Sequence, residues 1–340
     1  MEPPDEAADP TPIRALLRRL AGVHVSRGDG LTFVLLAAVA MLLMAVEALT
    51  GVLLALYYRP TTADANDSVR FVVTEVEYGG LVRSLHYWGA QSLIAVLGAT
   101  VAWAALRRAY RAPHALAWIS GVALAVLAVA EAFTGSLLPW SHRSVVDAQL
   151  SSSLAAQLPL VGPLLRGLML GGSQPNDLSL VRILGLHAGV LPMLASICIG
   201  ALALHAAGCA PRHPSAASLS LSPHAALRAA ALAAVVAIAL LALSSLLPPH
   251  LGASAEVARA SAAGLRPSWY LAFVHQMLSA APPRMIGLPS ARVLVTAVAL
   301  GVAALALFPL FDRRASRAGQ VAVLVTLAAI VGGTIRALLH

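Results

Sequence analysis

The segment RSLHYWGAQSLIAVLGATVAWAALRR, residues 83–108, indicates the class of fold that this chain adopts. Between its flanking arginines most residues are apolar, and the run is long enough to cross the ~30 Å hydrocarbon core of a bilayer as one helix. A single histidine, His86, lies near one end of it. Ionisable side chains are costly inside a membrane and usually have a function there, so His86 is a candidate site residue.

Similar apolar runs recur along the whole chain. Of the 340 residues, 59% are hydrophobic and 11% are charged, a composition far too apolar for a soluble domain of this length. Runs of spanning length occur at residues 31–57, 81–106, 115–138, 183–207, 225–247, 292–311 and 319–338. The sequence therefore predicts an all-α transmembrane protein with about seven helices.

Arginine supplies every basic residue of the chain, and its distribution predicts the orientation in the membrane. The formal charge of +8 reflects composition, and no nucleic-acid partner is expected. Arginines are dense in three short connections, at residues 107–111, 212 and 313–317, and such loops face the cytoplasm. We therefore expect a multi-pass protein of the cell inner (cytoplasmic) membrane with a cytoplasmic amino terminus. Residues 1–30 have the pattern of an amphipathic surface segment, unlike a cleavable signal peptide.

Four of the eleven histidines are of functional interest: His86, His187, His205 and His275. A six-coordinate haem takes one imidazole from each of two facing helices. His86 and His187 each lie a few residues inside the outer end of a predicted span. Because both spans run from outside to inside, the two imidazoles reach a similar depth. The alternative is that both are packed in a haemless scaffold and hydrogen-bonded to one another or to backbone.

Short motifs stand at regular places relative to the predicted spans. They are ALTGVLLALYYRP (48–60), GGLVRSLHYWGA (79–90), YRAPHALAWISG (110–121), FTGSLLPW (133–140), LVGPLLRGLMLGG (160–172), LVRILGLHAGVLP (180–192) and RPSWY (266–270). In order and spacing, over about residues 30–311, they resemble cytochrome b of the quinol–cytochrome c and plastoquinol oxidoreductases, the Rieske–cytochrome b family. The resemblance implies a four-helix haem-binding bundle at residues 31–210. A three-helix part with the quinol-site loop follows at residues 211–340.

The resemblance also assigns roles to residues around one haem. His86 and His187 match the ligands of the outer, low-potential haem of the family. Arg83 matches an arginine that meets a haem propionate, and Gly51 and Gly135 match glycines that let the haem approach the backbone closely. These residues predict one haem b near the outer side of the membrane.

The ligands of the family's inner haem are absent. In the family a second histidine follows each outer ligand by about fourteen residues, or roughly four helical turns. Here those positions hold Thr100 on one helix and Ala201 or Leu202 on the other, and none of these side chains can ligate iron. We expect no inner haem, and Trp103, Met41 and other bulky side chains, or a lipid or quinone, to fill the space.

Two acidic residues add to the predicted outer site. Glu47 and Glu131 each lie four residues before one of the haem-site glycines, in segments that should be buried in the membrane. At the first position the family usually has glutamine. A proton path or a polar lining for a quinone is one interpretation, and a hydrogen bond shared between two neutral acids is the other.

The quinol side departs from the family pattern. The family's PEWY motif reads PSWY here, at residues 267–270, so Ser268 replaces the carboxylate that takes a proton from quinol, beside Trp269 and Tyr270. A serine hydroxyl is no base near neutral pH. His275 lies seven residues further on, on the same face of a helix, and is a candidate replacement. The alternative is an interfacial histidine without a chemical role.

The resemblance implies a membrane electron-transfer subunit of a respiratory quinol oxidoreductase, similar to the cytochrome bc complexes. The expected cofactor is one haem b, and the expected substrate is a quinol. Expected partners are Rieske-type iron–sulfur or c-type cytochrome subunits, membrane lipid, and a second copy of the chain or a larger complex. The alternative function is a haem-poor or haemless membrane scaffold that anchors peripheral redox subunits.

Overall fold

The computed structural model describes residues 29–110, 114–171, 174–208, 223–255, 268–312 and 316–339. The surface segment predicted for residues 1–30 lies outside these ranges except for its last two residues, which begin the first helix. The boundary predicted between residues 210 and 211 lies outside them as well, as do most of the arginines that predict the orientation.

The regular secondary structure of the described residues is helical apart from one short hairpin and an isolated bridge between Ser141 and Ser254. The α-helices are α1 Asp29–Ala55, α2 Ala65–Thr74, α3 Gly79–Leu106, α4 Ala115–Leu137, α5 His142–Ala155, α6 Gly162–Leu170, α7 Asp177–Gly185, α8 Leu191–Gly208, α9 Pro223–Leu246, α10 Ala272–Ala280, α11 Ser290–Ala306, α12 Phe308–Phe311 and α13 Arg317–Leu339. A π-helical turn, Leu186–Val190, joins α7 to α8, and a 3₁₀ turn, Trp269–Leu271, leads into α10. The antiparallel hairpin pairs β1 Arg284–Met285 with β2 Leu288–Pro289.

Six described helical segments are long and apolar enough to cross a membrane. They are Leu31–Ala55, Gly79–Leu106, Ala115–Leu137, Asp177–His205, Pro223–Leu246 and Arg317–Ala337. The seventh predicted span is shorter, because α11 has 17 residues and ends before Pro309. Proline has no backbone N–H to donate to the preceding turn, so it divides the apolar run into α11 and α12. The all-α transmembrane fold is confirmed.

A four-helix bundle forms the centre of the molecule. Helix α1 packs against α3, α3 against α4, and α4 against α8. The buried residues that hold these helices together are Ala40, Ile94, Leu97, Leu124, Ala128 and Ala195. Helix α9 packs on α1 and α3, and α11 and α13 pack around α4, α3 and α10. The later helices therefore surround the bundle and leave its interior to the first four spans.

The connections that follow α1 and α4 pack together as a layer at one end of the bundle. The Tyr58 hydroxyl donates to the backbone oxygen of Leu138, and the Asn66 amide donates to that of Pro139. Burial raises the pKa of Tyr58, so this hydroxyl stays a hydrogen-bond donor. The layer orients the ends of α1 and α4, which carry the candidate site.

Candidate functional site

Two histidines meet inside the bundle. His86 comes from α3 and His187 from the π-helical turn before α8. The centroids of the two rings lie 6.0 Å apart, and the ring planes are nearly perpendicular, at 85°. Within the described residues no hydrogen bond joins one ring to the other. The rings therefore meet edge to face without a hydrogen bond between them.

The π-helical turn sets the direction of His187. The N–H of Leu191 bonds to the oxygen of Leu186, five residues back, in place of the usual four. Pro192 follows directly and has no N–H to donate to Ala188, so an ordinary α-helical ladder cannot form here. Such turns are rare and are frequent at functional sites. The sequence reasoning missed this turn, although Pro192 was the signal for it.

Each ring is held through Nδ1 by a threonine on a neighbouring helix. His86 Nδ1 lies 3.0 Å from Thr50 Oγ1 on α1, and His187 Nδ1 lies 3.2 Å from Thr134 Oγ1 on α4. Thr50 donates its one hydroxyl proton to the backbone oxygen of Val46 at 2.6 Å. Because that proton is already used, the threonine oxygen accepts from the ring, and Nδ1 of His86 carries the hydrogen.

The hydrogen bonds of His187 define its tautomer in the same way. The Thr134 hydroxyl donates to the oxygen of Ala130 at 2.8 Å, and the Nδ1 atom of His187 also lies 3.1 Å from the backbone oxygen of Glu131. A carbonyl oxygen can only accept, so Nδ1 of His187 is protonated as well. Both rings are therefore the tautomer that leaves the lone pair of Nε2 free. Within the described residues, Nε2 of neither ring has a hydrogen-bond partner.

A glutamate carboxyl group lies beside Nδ1 of each ring as a further acceptor. Glu47 Oε2 lies 3.2 Å from His86 Nδ1, and Glu131 Oε2 lies 3.0 Å from His187 Nδ1. The two sets come from nearly identical segments, EALTG at residues 47–51 and EAFTG at residues 131–135. In both, the glutamate, threonine and glycine share one face of their helix, because positions i, i+3 and i+4 lie together. The sequence reasoning identified the glutamates and glycines but missed Thr50 and Thr134.

The glycines let the rings lie against the helices. A Cβ atom added at Gly135 would lie 2.8 Å from His187 Cε1, and one at Gly51 would lie 3.2 Å from His86 Cε1. Gly89 on α3 has a similar role that the sequence reasoning missed, since a Cβ there would collide with the Glu47 carboxyl. The three glycines thus leave room for two imidazoles and one carboxyl group.

This arrangement fits an iron held by two imidazoles. Two metal–nitrogen bonds of about 2 Å each, together with the radii of two five-membered rings, add to about 6 Å between ring centres. Groups of three or more histidine, cysteine or acidic side chains placed for a metal ion are absent from the described residues. A haem needs only two protein ligands, because the porphyrin supplies the other four.

Arg83 has another described role. Its guanidinium donates to the backbone oxygen of Pro249 at 2.7 Å, just beyond the end of α9. Trp88 Nε1 donates to Leu247 in the same connection, at 2.8 Å. Both residues therefore fasten α9 to α3, and a contact of Arg83 with a propionate remains a prediction.

The residues of the predicted quinol site lie beside α3 and α4. Trp269 Nε1 donates to Gln91 on α3 at 2.6 Å, and Tyr270 packs against the buried cluster of the bundle. Burial raises the pKa of Tyr270, and hydrogen bonds with Ser268 and Ser136 offset part of that rise. Pro267 lies outside the described residues.

His275 stands apart from these groups. It lies on α10 with an exposed side chain and makes no hydrogen bond to the described part of the chain. The structure therefore brings Ser268, Trp269 and Tyr270 to the bundle but leaves His275 without a described link to them. Its role as a proton acceptor stays a prediction.

Aliphatic side chains pack the inner half of the bundle. Leu97 and Leu124 are buried there and Leu202 packs against them, while the Thr100 hydroxyl donates to its own helix at Val96. Met41 does not belong to this buried packing, since 55% of its surface is exposed, and its filling of the space stays a prediction. Small residues let the helices approach each other closely enough for the leucines to meet.

At the inner end of α8, His205 pairs with a histidine that the sequence reasoning set aside as a solvated loop residue. Its Nε2 lies 3.1 Å from Nδ1 of His114, which caps the start of α4. The two rings are within hydrogen-bonding distance of each other. The rings of His86 and His187 differ in that no hydrogen bond joins them within the described residues, and their centroids lie 6.0 Å apart against 5.3 Å for this pair.

Residues 27–208 of the chain are similar to proteins of a known family. A profile of the cytochrome b/b6/petB family matches residues 27–208. A cytochrome b6 of Heliomicrobium gestii is 36% identical over 165 residues, which are 48% of this chain and 78% of that protein. A cytochrome b6 of Heliobacterium modesticaldum is 35% identical over 173 residues, which are 51% of this chain and 80% of the relative.

One solved structure extends the similarity of fold to most of the chain. A chain of a hyperthermophilic respiratory Complex III superposes with a TM-score of 0.70 at 20% identity, covering 88% of this chain and 89% of that one. At this coverage the superposition includes most of the chain after residue 208, which the family profile does not reach.

Proposed function

Because the chain belongs to the cytochrome b/b6/petB family, it is a membrane electron-transfer subunit of a quinol oxidoreductase, and we propose that it holds a single b-type haem between His86 and His187. The family implies a b-type haem. The proposal adds the number of haems, the two ligands, and the position near the outer side of the membrane.

The observation that carries the proposal is the shared tautomer of the two rings. Thr50 and Thr134 accept from Nδ1, so each Nε2 presents a lone pair. A neutral imidazole with its other nitrogen hydrogen-bonded is the form in which histidine ligates a metal. When bound, the haem supplies a one-electron redox centre in this position. Gly51 and Gly135 let the two rings lie close to α1 and α4.

The packing of the inner half of the bundle supports a single haem per chain. The Thr100 hydroxyl donates to the backbone oxygen of Val96, and Leu202 belongs to the aliphatic packing. Neither side chain offers a ligand, and a second haem would have to displace that packing. An electron therefore leaves the site on the outer side, or crosses the membrane by way of a bound quinone.

We propose that a quinol binds beside Trp269 and Tyr270. Both lie against the outer half of α3 and α4, where Gln91 holds Trp269 five residues beyond His86. Kinship with Complex III and cytochrome b6 implies a membrane complex. Rieske-type iron–sulfur or c-type cytochrome subunits are the proposed electron acceptors, and the cell inner membrane with a cytoplasmic amino terminus is the proposed location.

The experiment that tests the haem proposal is a pyridine haemochrome assay on the purified full-length protein. We expect one mole of b haem per mole of chain, with the spectrum of a six-coordinate low-spin haem. Two moles would contradict the proposal, and His205 would be the first residue to re-examine as a ligand. No haem would favour the alternative, a haemless scaffold that anchors peripheral redox subunits.

A second prediction concerns the proton acceptor on the quinol side. Replacing His275 by alanine is expected to slow reduction of the haem by a short-chain quinol analogue by about 10², the usual contribution of a general base. The measurement is stopped-flow absorbance at the haem band. Gln276→Ala, one residue further on the same helix, is the control and should change the rate less than twofold. If His275→Ala behaves like the control, His275 has no role in proton transfer.

A further inference from the structure

A cavity of about 290 Å³ lies where α2, α3 and the end of α9 meet. Its lining includes apolar residues from each side and three serines, among them Val73, Leu81, Ser84, Ser244, Ser245 and Pro249. We propose that this cavity binds the glycerol-ester end of one phospholipid, and that the Ser244 hydroxyl donates to an ester carbonyl oxygen of that lipid. The inference goes beyond the proposed electron-transfer function, because it does not involve the haem or the quinol.

The Ser244 hydroxyl is a polar group that the fold leaves unsatisfied. Ser244 is only 2% exposed, and its Oγ atom has no hydrogen-bond partner among the described residues. Serines within membrane helices commonly donate to the backbone oxygen four residues back, as the neighbouring Ser245 does to Leu241. A buried hydroxyl without a partner is costly. Because Ser244 lines the cavity, an acceptor atom bound there would satisfy it.

The cavity and the proposed haem site lie on different faces of α3. Ser84 precedes His86 by two residues, so the two side chains are about 200° apart around the helix axis. Arg83 also lines the cavity, but its guanidinium donates to the backbone oxygens of Pro249 and His250. Neutral serine hydroxyls are therefore the groups that the cavity offers to a ligand, and the proposal does not depend on the charge of Arg83.

The depth of the cavity in the membrane favours the ester region of a lipid. Helix α3 has 28 residues, or about 42 Å, so that roughly 6 Å at each end extends beyond a ~30 Å hydrocarbon core. Ser84 lies five residues from the start of α3, at about 7.5 Å along its axis. Ser244 lies two residues before the end of α9. Both serines are thus near the boundary between hydrocarbon and head groups, where the ester carbonyls of phospholipids lie.

The walls of the cavity favour an acyl lipid over a quinone. None of the described residues that line the cavity is aromatic, whereas sites for planar rings usually contain aromatic side chains. The cavity is too small for a whole phospholipid, so the acyl chains must continue outside it. Ile238, Leu241 and Ser245 are exposed and share one face of α9, because they are spaced by three and four residues. This face offers an apolar surface along which a chain can extend.

The test counts phospholipid bound to delipidated full-length protein by native mass spectrometry. One probe is dioleoyl phosphatidylcholine, and the other is its diether analogue, which keeps the head group and chains but lacks the carbonyl oxygens. We expect one tightly bound ester lipid per chain, and roughly fivefold weaker binding of the ether analogue, the usual effect of one neutral hydrogen bond. Ser244→Ala should bind the ester lipid about fivefold more weakly and should no longer distinguish the two probes, since both changes remove the same bond.

Ser245→Ala is the matched control. It removes the next hydroxyl along α9, which already donates to Leu241, so lipid binding should stay within twofold of wild type. Equal losses in the two alanine variants would contradict the proposal, as would a Ser244→Ala protein that still prefers the ester lipid. Absence of a tightly bound lipid from wild type would also refute it.

Two competitors identify the part of the ligand that the cavity recognises. Glycerophosphocholine, which has the head group without acyl esters, should not displace the lipid. Decylubiquinone should not displace it either. Displacement by the first would assign the site to a phosphate head group, and displacement by the second would make it a quinone site. Either result would overturn the proposed contact between Ser244 and a lipid ester.

Discussion

Replacement of His86 or His187 by alanine is expected to remove the haem almost completely, to below about a tenth of the wild-type content. Each imidazole would supply one of the two protein ligands of the haem iron, so that neither ring alone could hold it in this way. The measurement is the pyridine haemochrome assay, with the visible spectrum recorded before extraction. Both variants should lose the haem, because a bis-histidine site needs both rings.

The alanine variants also remove a donor from a buried glutamate and threonine, so folding must be examined alongside haem content. Loss of one partner from a buried hydrogen bond costs roughly 1–3 kcal/mol, which a bundle of this size should tolerate. His205→Ala is the matched control. His205 lies on α8, eighteen residues beyond His187, and pairs with His114. It should keep one haem per chain. A haem retained in both His86→Ala and His187→Ala would place the ligands elsewhere.

Replacement of Gly135 by alanine is expected to reduce haem content about tenfold. The added Cβ would lie 2.8 Å from His187 Cε1, a distance that real Cβ atoms do not adopt. The ring cannot easily move away, because Nδ1 is held by Thr134 and by the backbone of Glu131. The collision therefore turns the imidazole out of line with its partner. Haem content per chain and the low-spin band of the ferric spectrum report this displacement.

Gly121→Ala supplies the matched control for this prediction. Gly121 lies on the same helix, α4, and a Cβ there would meet nothing within 4 Å. Alanine is the better helix former by about 1 kcal/mol, so neither substitution should weaken the helix itself. Gly51→Ala, with its contact at 3.2 Å, should fall between the two. If Gly135→Ala retains haem as Gly121→Ala does, the ring has more freedom than these contacts imply.

The transmembrane character of the protein was predictable because transfer from water to lipid depends mainly on local composition. The predicted runs match six long helices and one shorter one. The boundary that failed, at the end of the seventh run, depends on Pro309, whose effect on backbone hydrogen bonds is not part of a hydropathy average. The candidate ligands His86 and His187 were found because the resemblance identified one histidine in each of two spans.

The acceptors around those histidines were only partly predictable. Glu47 and Glu131 attracted notice as acids in apolar runs, whereas Thr50 and Thr134 are ordinary residues in a membrane helix and carried no signal of their own. Similarly, the pairing of Arg83 with the α9 connection joins residues 166 positions apart. Sequence spacing contains no information on such a contact.

By itself, the sequence determined which segments enter the membrane and which two helices carry an imidazole at similar depth, because hydropathy and spacing are properties of one segment at a time. The tertiary structure alone decided that each ring would meet a threonine, a glutamate and a glycine from another helix. Those contacts join His86 to α1 and His187 to α4. They depend on the rotation and depth at which helices pack, which many side chains set together.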